Sequence, residues 1–204
     1  MAKIDIKKQE KGLYNPSAKQ PSIVTVPTMT YFMVNGKGAP GNDAYVEAIE
    51  LLYKASYSLK MGVVKKDNPD QDYVVPPLEG LWYMDDMTQW SMDNKEEWQW
   101  TMCIRIPDHV TSEQVDRALA LIDPDEFDLD KLRVEQYEEG ESVQILYFGP
   151  YDEEVETIAG MHAFAKQQGY QLHKHHHEIY LNDPRKVSPD KLKTVIRQPI
   201  LKIE

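Results

Sequence analysis

Residues 101–107 read TMCIRIP, and residues 193–199 read KTVIRQP. Each closes a block in which a strand-like run, a Gly/Pro turn, an amphipathic helix and an acidic-aromatic segment follow in the same order. That order implies an internal duplication, because a repeated supersecondary unit leaves each copy with an apolar face to bury against the other. The seam between two such copies is a natural place for a pocket, so function is sought there.

In the first copy, Tyr31, Phe32, Met33 and Val34 make a buried strand that the turn Gly36-Lys37-Gly38-Ala39-Pro40-Gly41 ends. The GxG in that turn lacks the third glycine and the βαβ context of a dinucleotide fingerprint. Asn42 or Asp43 can cap a helix whose Tyr45, Ala48, Ile49, Leu52, Ala55, Ser56 and Leu59 share one face. Residues 76–83, PPLEGLWY, open a strand whose hairpin partner is 98–107, with Trp98, Trp100, Met102, Ile104 and Ile106 on one side. A connecting helix follows, with Thr111 and Gln114 at capping-box spacing.

The second copy opens with an expected hairpin, residues 133–137 returning as 143–148 across the turn Glu138-Glu139-Gly140-Glu141. Gly149-Pro150 mirrors the first Gly/Pro turn. Asp152 then starts a helix carrying Val155, Ile158, Ala159, His162 and Ala165, which Gly169 stops. Strands over 170–181 and 192–200 complete the copy. Each half is strand, helix, strand, strand, so the expected fold class is α+β: two such modules in one antiparallel-sheet domain with a central cleft. Residues 1–27, polar and carrying Pro16, Pro21 and Pro27, read as an arm. Residues 28–204 read as a single domain, with one repeat over about 28–107 and the other over about 108–204.

Composition narrows the function class. A chain of 204 residues with 41% apolar and 28% charged residues can bury roughly 70% of its unfolded surface and needs no membrane, since no apolar run approaches ~20 residues. The net charge of −11 repels phosphate backbones, which argues against direct nucleic-acid binding. Cys103 is the sole cysteine and Met1–Glu10 lacks a secretory apolar core, so a cytoplasmic location is expected.

Two equivalent segments, 78–83 and 176–181, each put a glutamate beside large aromatic residues. Period-two alternation sets His176, Glu178 and Tyr180 on one side and His175, His177, Ile179 and Leu181 on the other. A carboxylate among aromatics is desolvated, so its pKa rises unless a cation or donor compensates. Glu178 is therefore a cation receptor or a general acid/base; the competing reading is a surface residue or an ion pair with Arg185 or Lys186. Glu79 is open to the same two readings. Trp82, Trp90, Trp98 and Trp100 fall within 19 residues, and such rings suit flat or cationic ligands by stacking and cation–π contact, although tryptophans also build cores. Trp82, Trp100, Trp90, Tyr147 and Met102 form the expected ligand-contacting set. The histidine run His173, His175, His176, His177 is too extended along a strand for three rings to close on one zinc, so neither metal nor cofactor is expected.

Taken together, PPLEGLW (76–82), WTMCIRIP (100–107), FGPYDEE (148–154), HEIYLNDPRK (177–186) and KLKTVIRQP (191–199) resemble the stand-alone GyrI-like small-molecule-binding proteins. The resemblance covers roughly residues 20–204. It implies two SHS2-type modules around a cleft, as in the effector-binding domains of MerR- and AraC-type regulators, with Glu178 at the position that meets aromatic, often cationic, ligands. The PLEGLW segment is similar to the branch that hydrolyses the strained cyclopropane of DNA-alkylating natural products. By that resemblance Glu178, Tyr180 and Glu79 are the catalytic candidates, Glu178 as base and Tyr180 as donor to the substrate carbonyl. It also implies an alternative without chemistry, drug sequestration or contact with DNA gyrase as a protein partner.

Overall fold

The computed structural model describes residues 3–85, 91 and 93–203. Its frame is an antiparallel sheet in the order β1-β6-β9-β8-β3-β4-β2-β5, with β7 pairing the far end of β9. The strands are β1 (Ser22–Val26), β2 (Met29–Lys37), β3 (Leu78–Tyr83), β4 (Gln99–Ile106), β5 (Leu132–Tyr137), β6 (Gly140–Phe148), β7 (Tyr170–Leu172), β8 (His176–Tyr180) and β9 (Lys193–Lys202). The helices are α1 (Ile6–Gln9), α2 (Lys11–Tyr14), α3 (Asp43–Tyr57), α4 (Lys65–Asp67), α5 (Ser112–Leu119) and α6 (Val155–Gln167), with a π-helical turn over Ser58–Val64.

The duplication is visible in this order. β2-α3-β3-β4 and β6-α6-β8-β9 are the two copies, and β6-β9-β8 meets β3-β4-β2 across the antiparallel pair β8–β3, where Gly80 lies opposite Glu178. Local chemistry forms the elements as expected. Asn42 accepts a hydrogen bond from the Tyr45 N–H at 2.8 Å to start α3, Thr111 and Gln114 make a reciprocal capping box, and Gly169 takes φ +83° just after α6.

Three sequence expectations are corrected. Gly36 does not end the first strand: β2 runs on to Lys37, because the Trp100 ring lies over Gly36 and supplies the cover its missing side chain cannot. The strand expected over 170–181 is broken, since Lys174 adopts φ +53° and divides β7 from β8. The hairpin expected between 133–137 and 143–148 does not form. Instead β5 pairs with β2, and β6 pairs with β1 and β9. Each module's leading strand thus joins the outer edge of the other module. Two residues link β1 to β2, and two link β5 to β6, spans of at most roughly 11 Å, so the sheet must curl until its two ends meet at that corner.

The curl gives the sheet two different faces. On one, α3 covers a core that includes Phe32, Val34, Leu52, Trp100, Met102 and Ile104, and α6 covers a smaller one with Val143, Met161 and Ile196. On the other, Ile6, Leu13 and Tyr14 of the N-terminal segment pack over Ile179, Val195, Tyr31, Met33 and Cys103. Each helix covers its own copy, and the β3–β8 seam between them stays open.

Candidate functional site

That opening is a cleft of about 1800 Å³. Tyr45, Ile49 and Tyr53 of α3 line one side, Val155, Ile158 and His162 of α6 the other, and Leu78, Trp82, His176, Glu178 and Tyr180 of the two seam strands also line it. The alternation of β8 dictates the last set, because positions 176, 178 and 180 fall on the helix-covered face. Glu178 is 9% exposed. Its Oε2 accepts the Tyr180 hydroxyl proton at 2.8 Å, and the Tyr180 oxygen accepts the Trp82 Nε1–H at 3.1 Å. His176 Nε2 lies 3.6 Å from Glu178 Oε1. Arg185 and Lys186 pair with Asp183 instead, so the ion-pair reading of Glu178 does not hold.

Aromatic rings enclose this carboxylate. Tyr45 stacks on Trp82 with centroids 6.1 Å apart, Trp98 meets Trp82 edge-on at 5.9 Å, and Tyr151 meets Tyr180 edge-on at 5.5 Å. Gly80, opposite Glu178, makes room for the arrangement: a Cβ there would sit 2.9 Å from Trp82 Nε1 and 3.0 Å from the Tyr180 hydroxyl.

Glu154, just before α6, completes the site with a second carboxyl, 5% exposed and lining the same cleft as Glu178. Burial, then the charge of Glu178 beside it, pushes the Glu154 pKa up to about 10. Burial would also raise Glu178, but the neighbouring His176, Glu154 and the hydroxyl that Tyr180 donates outweigh it and hold that group below its ordinary value. The protonated carboxyl of the cleft is therefore Glu154. Glu178, the carboxyl that the sequence marks for a raised pKa, is the charged one.

The other expected site residues are placed as follows. Trp82 lines the cleft, with its Nε1 at the centre of the network. Trp100 and Met102 are fully buried in the α3 core, Trp100 lying across from Trp82 in the β3–β4 pair and meeting the edge of Tyr45 at 5.4 Å. Tyr147 packs in the α6 core and donates its hydroxyl proton to the Pro150 carbonyl at 3.1 Å; Pro150 lines the cleft, but Tyr147 itself does not. Trp90 lies outside the described residues.

Glu79 faces the opposite side of the sheet. One residue of offset between the two acidic-aromatic segments turns it over, so the true counterpart of Glu178 is Gly80. There the Glu79 carboxylate lies 2.9 Å from His177 Nε2, Glu139 lies 3.0 Å from His177 Nδ1, and Arg197 Nη1 donates to Glu139 at 3.0 Å. Burial would strip the His177 proton, but Glu139 and Glu79 on either side hold its pKa at about 9, while the charges of His177 and Arg197 overcome burial to hold Glu139 at about 2. The group is a fully buried clamp behind the site.

Sequence reading does not single out Glu154, Tyr151 or Tyr45 for the site. A signal for Glu154 was present: it stands four residues before Ile158 and eight before His162, one face of the helix expected there.

The comparisons agree with this geometry. The model of the GyrI-like small molecule binding domain family matches residues 19–201. A conserved protein of Listeria innocua is 39% identical with a TM-score of 0.88, covering 98% of this chain and 100% of its own. A Listeria innocua protein described as a hydrolase is 38% identical with a TM-score of 0.85 and the same coverage. At the level of fold alone, the EcmrR C-terminal domain superposes with a TM-score of 0.61 at 13% identity, over 90% of this chain and 98% of that one. No curated protein shows significant similarity to the sequence. No helix among the described residues is long and apolar enough to cross a membrane. With two matching modules, an open seam lined by aromatic rings around a carboxylate, and a family model spanning nearly all of its length, the chain belongs to the GyrI-like small-molecule-binding domain family.

Proposed function

We propose that the cleft binds flat aromatic molecules and hydrolyses the cyclopropane ring of cyclopropane-conjugated dienones, a detoxifying activity against DNA-alkylating natural products in the cytoplasm. The observation that carries this reading is Glu178, 9% exposed and lining the cleft with Trp82, Tyr45 and Tyr151, with a second buried carboxyl, Glu154, in the same cleft. The description of a relative 38% identical over 98% of the chain as a hydrolase supports a hydrolytic reaction.

The chemistry asks little of the protein, because the substrate stores the strain. Water attacks a carbon of the three-membered ring, a carbon–carbon bond breaks, and its electron pair moves through the dienone to the carbonyl oxygen as the six-membered ring becomes a phenol. A base must take one proton from the water, and a donor must supply one to the oxygen. Glu178 is the base, and Tyr180, tied between Glu178 and Trp82, fixes its orientation. Trp82 and Tyr45 hold the planar body of the substrate at the reacting distance.

The test is incubation of the pure protein with a cyclopropane-bearing dienone, followed by mass spectrometry. Many equivalents of product heavier by one water are expected, and Glu178→Gln should lower kcat by about 10²- to 10⁴-fold while binding of the neutral ligand persists. One equivalent captured with no turnover would favour a second reading, a receptor that sequesters cationic aromatics, for which the same caged carboxylate is suited. In that case Glu178→Gln costs affinity.

A further inference from the structure

Tyr180 has one phenolic proton, and it is committed to Glu178, while its oxygen is committed to Trp82. Burial and the charge of Glu178 also hold the phenol well above its ordinary pKa, so releasing that proton to a ligand is unfavourable. Tyr180 is thus a positioning residue, and the proton that must reach the ligand's oxygen needs another source.

Glu154 lines the same cleft as Glu178 and is 95% buried by its 5% exposure. Its Oε2 is buried and meets no hydrogen-bond partner among the described residues. A buried polar atom without a partner is unfavourable, and a ligand group placed there would satisfy it. The titratable groups that bear on Glu154 are Glu178 on β8, Tyr147 on β6 and Tyr151 in its own turn, and no lysine or arginine among the described residues pairs with its carboxyl.

We infer that Glu154, buried in the cleft with an unpartnered oxygen, is the catalytic acid that delivers a proton to the ligand's carbonyl oxygen while Glu178 takes one from water. The assignment rests on the hydrolase reading. The atoms balance: the water oxygen bonds to the ring carbon, one water proton passes to Glu178, the broken bond's electron pair reaches the carbonyl oxygen, and the Glu154 proton joins it there. Glu178 is then protonated and Glu154 charged. Transfer of the proton from Glu178 to Glu154 within the one cleft restores the starting pair, and the net change is the addition of one water. The raised pKa of one partner and the lowered pKa of the other fit the division of labour expected when two carboxyls work as acid and base.

Two measurements test it. Infrared spectra of the wild-type protein at pH 7.5 should contain the carbonyl stretch of a buried protonated carboxylic acid, and Glu154→Gln, which keeps shape and an N–H donor, should remove it. The same variant should lower kcat by about 10²- to 10⁴-fold, with KM within about a factor of three, because the missing proton matters in the transition state. Absence of the band from the wild-type protein overturns the proposal without need of any variant, because Glu154 would then hold no proton to deliver. A variant that turns over at the wild-type rate overturns Glu154 as the acid. If the wild-type protein shows the band and binds a cyclopropane-bearing dienone but never opens it, the hydrolase reading falls, and with it the catalytic role of Glu154.

Discussion

His177 is the residue on which the rear of the site turns, flanked at 2.9 and 3.0 Å by two carboxylates in an interior without water-facing atoms. Its folded pKa, about 9, lies above the ordinary 6.5, so its contribution to stability is full below about 6.5 and is lost as pH rises through about 9. Glu139, at about 2 against 4.5, contributes above 4.5 and loses that contribution as pH falls through 2. Glu154, raised to about 10, opposes folding increasingly between 4.5 and 10, which adds a slope of the same sign as His177. The melting temperature should therefore decline from pH 6.5 to 9.5. His177→Gln should flatten that decline to the share due to Glu154 and cost about 3–5 kcal/mol near pH 6, because two carboxylates lose the cation between them. Calorimetry across this range checks both, and an unchanged slope in the variant would show that the imidazolium is not what the carboxylates bind.

At the scale of elements, β3 and β8 make the site by lying in one register. Gly80→Ala should leave the fold intact at a cost of about 1–3 kcal/mol from overpacking, because its Cβ would meet Met102 Sδ at 3.2 Å as well as the Trp82 and Tyr180 polar atoms. The larger effect should fall on ligand turnover or binding, since the Trp82–Tyr180–Glu178 chain must shift; activity retained alongside lost stability would reverse that order. Alternation and capping made much of this legible in the sequence: the inward set of β8, the face of α3 and the capping box of α5 all stand as the residue spacing implies. The pairing of β5 did not follow from its own residues. A short loop between two strand-like runs looks like a hairpin, and here Glu139 in that loop is drawn under the sheet to His177 and Arg197, sending β5 and β6 to opposite ends. Glu79 was misplaced for a related reason: likeness between two segments does not fix their pleat, and an offset of one residue exchanges the faces.

For the whole molecule, the exchange of β1 and β5 between copies means that neither copy owns a complete sheet. Fragments 1–107 and 108–204 should each lack dispersed NMR spectra, while the intact chain should unfold in one transition; a folded fragment would show that the copies are independent. The N-terminal segment belongs to the same unit, since Arg105 pairs with Glu10 at 2.7 Å and Arg197 Nη2 donates to the Leu13 carbonyl at 2.7 Å. The five-residue strand β8 lines the cleft at its even positions and gives His177 to the ionic clamp on its other face. Drift in ligand preference and maintenance of the scaffold are thereby assigned to different codons of one short segment, so single substitutions at 176, 178 or 180 can explore new chemistry while the keel beneath them stays untouched.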